Sequence, residues 1–139
     1  SHTAPYKNFK DKDQLLKEMV AHEFKNLIQF AEEVEWRYPD NVEMQFRAFA
    51  EKFLNLAETT PRKLVLMLSE IATYQSEIKE NLYRLVEGDS ENQKLSVERY
   101  WLALMGAVLI ASQEGIKSES AEVLAEQLAS IISYSLRSL

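Results

Sequence analysis

The chain has 139 residues, 46% of them hydrophobic, with 3 Gly, 3 Pro, no Cys and a net charge of −6. Such a length and apolar content suit one packed domain and exclude a disordered chain. The lack of cysteine excludes disulfide and thiol chemistry and accords with a reducing, cytoplasmic setting.

Charge is uneven along the chain. Residues 1–12 carry Lys7, Lys10 and Lys12 against Asp11, a local +2 that leaves −8 on the remainder. Only the N-terminal edge is expected to attract nucleic acid. The chain opens on Ser1 rather than Met, so part of the natural protein is expected upstream. No signal peptide is visible. The longest apolar run, Tyr100 to Ala111, is 12 residues. That is shorter than the ~18–20 a bilayer helix needs, so no membrane partner is expected.

Periodicity predicts helices throughout. Asp11 reads as an N-cap, and Leu15, Leu16, Met19, Val20, Phe24, Leu27, Ile28, Ala31 and Val34 follow at three- and four-residue steps to about Trp36. Tyr38-Pro39-Asp40-Asn41 reads as a turn. A second helix, about Asp40 to Glu58, buries Val42, Phe46, Phe49, Ala50, Phe53 and Ala57. Thr60 and Pro61 open a short third helix as N-cap and first residue. Its run Leu64 to Leu68 implies burial on most sides. Ile71, Tyr74, Ile78, Leu82 and Leu85 continue to Val86, and Gly88 fits a C-terminal cap. Ser90 to Gln93 matches a capping box for a helix reaching Glu114. Its middle lacks a polar side and must be covered all round. The last helix, about Ser118 to Leu136, carries Ala121, Leu124, Ala125, Leu128, Ile131 and Ile132. The fold class is all-α: a bundle of about six helices.

Catalytic and metal constellations are missing. His2 and His22 are the only histidines. Glu18 and His22 lack the second pair a helical di-iron site needs. No GxSxG, P-loop or GxGxxG motif occurs. No enzyme, cofactor or metal is expected. The acidic run Glu32, Glu33 and Glu35 reads as a solvated face, with attraction of a cationic effector as the alternative.

The residues from Ser1 to Leu16 carry a specific pattern. Ser1 is followed by Tyr6, Phe9, Lys12 and the pair Leu15-Leu16. In order and spacing these resemble the end of the helix-turn-helix of TetR-family transcriptional regulators. The resemblance implies that residues 1–10 are the trailing part of a DNA-binding domain and 11–139 an effector-binding and dimerisation domain. It implies a ligand-responsive DNA-binding regulator, a repressor released from its operator by a small molecule. Tyr6 and Lys12 would contact the DNA backbone, with Lys7 beside them, while His2 and Thr3 would face base edges. Downstream, Phe53, Ala57, Pro61 and Leu64–Leu68 resemble one subgroup, as do Trp101 and Gly106, although Met105 stands where that subgroup has His.

The resemblance further implies a ligand cavity among the middle helices. Candidate lining residues are Phe46, Phe49, Phe53, Met67, Tyr74, Tyr100, Trp101 and Leu104. As core they need no further explanation; Tyr74 and Tyr100 stand out because a phenol gives an apolar pocket a polar handle. The last two helices are expected to form a homodimer through Gly106, Ile110, Leu124, Leu128, Ile131 and Ile132, unless these close the chain's own core. The competing reading is an all-helical protein–protein interaction module without DNA-binding activity.

Overall fold

A computed structural model describes the backbone of residues 9–86 and 91–137, with side chains described for 11–86 and 91–134. Six helices make up the fold: α1 Phe9–Arg37, α2 Val42–Thr59, α3 Pro61–Ser69, α4 Ile71–Leu85, α5 Glu91–Glu114 and α6 Ser118–Arg137. No strand occurs among the described residues. The all-α expectation holds, with the helices where the apolar periodicity placed them.

Helix α2 is the hub. It packs against all five other helices, most extensively against α6. Its sequence explains this, because Phe46, Phe49, Ala50, Phe53, Leu54 and Ala57 are all buried and cover a wide sector of the helix. Helix α1 lies along α2, α3 and α4 and buries Val20, Phe24, Leu27, Ile28, Ala31 and Val34. At 29 residues it is about 43 Å long, enough to run the length of the bundle.

Helix ends follow local chemistry, with some corrections. Helix α1 begins at Phe9, so Asp11 lies inside its first turn instead of capping it. There its charge still complements the helix dipole. Asp40 does not open α2: it takes a left-handed φ of 57° in the turn. Asn41 is the cap, and its Oδ1 accepts a hydrogen bond from the Met44 N–H at 3.1 Å. Thr60 and Pro61 open α3 as expected, although the Thr60 hydroxyl turns back to the Leu56 carbonyl at 3.3 Å. Helix α3 is less enclosed than its apolar run suggested. Leu64 and Met67, three residues apart, are buried against the neighbouring helices, but Val65 falls outside that stripe and is 52% exposed. Gly115, with φ 80°, ends α5 by donating its N–H to the Ala111 carbonyl at 2.8 Å. Gly88 and Ser90 lie outside the described residues.

Helix α5 corrects the membrane reading in one respect. As a 24-residue helix it is long and apolar enough to cross a bilayer. Its Val97, Tyr100, Trp101, Leu104, Val108 and Ala111 are nevertheless packed into the core against α2, α3, α4 and α6. Its middle is not covered all round, however: Leu102, Leu109 and Ile110 are exposed, because the neighbouring helices meet α5 on one side.

Candidate functional site

The expected ligand-lining side chains do meet, as one aromatic cluster. Tyr100 on α5 sits edge-on to Phe46 on α2 at 4.9 Å between centroids. Phe53 meets Phe49 at 6.3 Å and Trp101 at 6.4 Å, both edge-to-face. Edge-to-face pairs of this kind are electrostatically favoured over flat sandwiches. Leu104 and Met67 are fully buried beside them. Tyr74 on α4 is half-buried and stacks on Phe24 of α1 at 4.2 Å with an interplanar angle of 12°.

The polar handles of this cluster are used internally. The Tyr100 hydroxyl donates to the Phe46 carbonyl at 2.6 Å. Burial pushes its pKa well above the usual phenol value, and the Ala50 backbone N–H offsets this only partly. The Trp101 indole N–H donates to Gln75 Oε1 at 3.2 Å. Three of the clefts that open on the surface among the described residues border none of the eight expected lining residues. Phe46, Phe49, Phe53, Met67, Tyr100, Trp101 and Leu104 are all buried where α2, α3 and α5 pack together.

The clefts lie elsewhere. One of about 430 Å³ runs between α1 and α3, lined by Leu16, Met19, Pro61 and Leu66 with Arg62 and Lys63 at its rim. A second, about 890 Å³, sits at the α5–α6 turn against Ile110, Ile116 and Leu124. The third, about 710 Å³, opens at the C-terminal end of α1. Among the described residues no group of three or more His, Asp or Glu is placed to hold a metal.

The helix-pairing expectation divides. Gly106 and Ile110 lie on the exposed side of α5, and Leu124 and Ile131 are half-buried on α6. Leu128 and Ile132 are 7% and 1% exposed and belong to the chain's own core. The reason is their phase: they share the buried stripe of Ala121, Ala125 and Ala129, which faces the bundle. Sequence reasoning missed Leu95, Leu102, Leu109 and Val123, all exposed. Leu95, Leu102, Gly106 and Leu109 fall at spacings of seven, four and three, the seam of a paired helix, and that spacing was the available signal. A Cβ added at Gly106 would meet no atom within 4 Å, so packing within the chain does not require glycine there.

Of the expected DNA-contacting residues, His2, Thr3, Tyr6 and Lys7 lie outside the described residues. Lys12 is exposed in the first turn of α1. No family model, curated protein or solved structure matches the chain.

Proposed function

We propose that the chain is the effector-binding and dimerisation part of a ligand-responsive DNA-binding transcriptional regulator, a repressor released from its operator by a small molecule. The observation that carries the reading is the apolar face of α5, which no other described helix covers. Leu102 is 70% exposed, Ile110 57% and Leu109 49%, beside the half-buried Leu124 and Ile131 of α6. A second copy related by a two-fold axis would cover both helices in a four-helix contact. Such a dimer would present two N-terminal edges to successive major grooves.

Three further features support this reading. The pattern from Ser1 to Leu16 resembles TetR-family regulators, and Lys12 stands exposed where a backbone phosphate contact is expected. The cleft between α1 and α3 is apolar and sits beside Leu15 and Met19, which are 57% and 41% exposed. It suits the underside of an N-terminal DNA-binding unit. Helix α1 joins that edge to the aromatic cluster through the Phe24–Tyr74 stack. An effector inserted beside Tyr74 would have to part α2, α4 and α5 and so displace α1. It releases DNA only by preferring that parted arrangement.

The same exposed face would serve an interaction module that binds a different protein. Fluorescence anisotropy separates the two. The complete protein, including the helices this reading requires upstream of Ser1, is titrated onto DNA from its own promoter region and onto scrambled DNA at two salt concentrations. Salt-sensitive, sequence-dependent binding supports the regulator, with Tyr6→Phe and Lys12→Ala each weakening it. No preference for any member of a genomic fragment pool would leave the interaction module.

A further inference from the structure

Helix α5 has two unlike faces. Val97, Tyr100, Trp101, Leu104, Val108 and Ala111 are buried in the core. On the other side Leu102, Ala103, Gly106, Leu109 and Ile110 are all exposed. These five positions have an order of their own. Leu102 and Ile110 stand four residues before and after Gly106, and Ala103 and Leu109 three before and after. With 3.6 residues per turn, all lie within about 60° of the direction in which Gly106 points, mirrored in height and in sideways offset. A half-turn about that direction carries the set onto itself. Leu102 falls on Ile110, and Ala103 falls on Leu109.

The ends of the patch keep the same symmetry. Arg99 and Gln113, both exposed, stand seven residues before and after Gly106 and close the patch with polar groups. Leu95, 46% exposed, lies beyond Arg99, and its mirror position is Lys117, just past the end of α5.

Gly106 itself is a second feature. Glycine inside a helix destabilises it relative to alanine. The chain's own packing gives no reason for one here, since a Cβ would meet nothing within 4 Å. A bare position at the centre of a symmetric apolar patch lets another helix come close. Beside the patch the surface is hollow. Ala107, Ile110, Ala111, Ile116 and Leu124 line the cleft of about 890 Å³ at the α5–α6 turn. The half-turn sets Leu102 of one copy, 70% exposed here, against Ile110 of the other at the mouth of that cleft.

We propose that α5 crosses α5 of a second copy in antiparallel sense, with Gly106 on the two-fold axis and Leu102 of each copy seated beside Ile110 and Leu124 of the other. Charge selects this sense. In a parallel pair Arg99 faces its own copy, whereas in the antiparallel pair it faces Gln113. Length agrees: from Leu102 to Ile110 the patch runs about 12 Å, which suits a crossing contact more than a long seam. The inference rests on the self-association within the regulator reading and names its register. It holds equally for a dimer that does not bind DNA.

The test uses the absence of cysteine from the chain. Gly106→Cys, Leu102→Cys, Ile110→Cys and Arg99→Cys are oxidised singly, and Leu102→Cys is also oxidised mixed with Ile110→Cys. Sedimentation of each sample reports whether it is a dimer. A disulfide needs Cα atoms within about 7 Å. Gly106→Cys should link to its own copy. The mixture should gain a linked dimer that neither of its members forms alone, because in the antiparallel pair the two copies of Leu102 are about 12 Å apart along the helices, as are those of Ile110. Arg99→Cys leaves the apolar patch intact, and its two copies, about 21 Å apart, should stay unlinked. Self-linking of Leu102→Cys or Arg99→Cys overturns the antiparallel register and leaves the dimer standing. A dimer in which neither Gly106→Cys nor the mixture links overturns the crossing at Gly106. A chain that stays monomeric overturns the pairing and the dimer of the regulator reading together. Cross-links as expected in a protein without sequence-dependent DNA binding overturn the regulator reading alone.

Discussion

Tyr100 joins α5 to α2 by one hydroxyl. Its bond to the Phe46 carbonyl is made in a site from which water is excluded. Tyr100→Phe is expected to lower stability by about 1 kcal/mol, measured by urea unfolding. The raised pKa adds a pH signature. Folded, the phenol keeps its proton above the value of about 10 at which the unfolded chain loses it. Above that pH the unfolded state binds fewer protons, so this contribution is complete at lower pH and lost as pH rises. Thermal melts between neutral and alkaline pH should show the decline, and Tyr100→Phe should flatten it. Phe53→Ala would leave a void among Phe49, Trp101 and their neighbours, and is expected to destabilise by roughly 3–5 kcal/mol.

Elements are held by caps and by the phase of their apolar stripes. Asn41→Ala removes the side-chain cap at the start of α2 and should lower the melting temperature by the equivalent of about 1 kcal/mol. The ion pairs Lys63–Glu23 and Lys79–Glu98, at 3.0 and 3.2 Å, tie α3 to α1 and α4 to α5. Being partly exposed, each is expected to matter less than a cap. Tyr83 also reaches Glu98, so that carboxylate accepts from two side chains of α4. Gly106 separates the chain's own packing from pairing between copies. With nothing near its absent Cβ, Gly106→Ala should raise the helix stability of α5 by roughly 1 kcal/mol in the monomer. If two α5 helices meet there, the same change weakens their association. Melting of dilute protein and sedimentation at rising concentration read the two effects separately.

What covers α5 and α6 is a property of the assembled bundle. Ile110→Glu places a charge on the exposed face and leaves the core untouched. Under the regulator reading it should convert dimer to monomer in light scattering with little change in unfolding at low concentration. Leu128→Ala should do the reverse, destabilising by about 2–5 kcal/mol from within the core without a specific effect on assembly. A monomeric wild-type chain across the accessible concentration range would remove the main support for the regulator.

Local chemistry along the chain was enough to set the helices. Apolar side chains at three- and four-residue steps, Pro61 at a helix start and Gly115 at a helix end are local signals, and local hydrogen bonding answers them. The same pattern set most of the core, because a continuous apolar stripe has nowhere else to go. It could not decide between stripes. Leu128 and Leu124 are both leucines on one helix, and only the position of α2 and α5 sets one inside and leaves the other at the edge. Likewise the meeting of α2 and α5 sets the Phe46 and Tyr100 rings edge to face, which neither helix could decide by itself. Gln45 carried no signal at all. Its side-chain oxygen is buried without a hydrogen-bond partner because the turn after α1 brings the Tyr38 carbonyl to one end of the amide and nothing to the other, a consequence of where three chain segments meet.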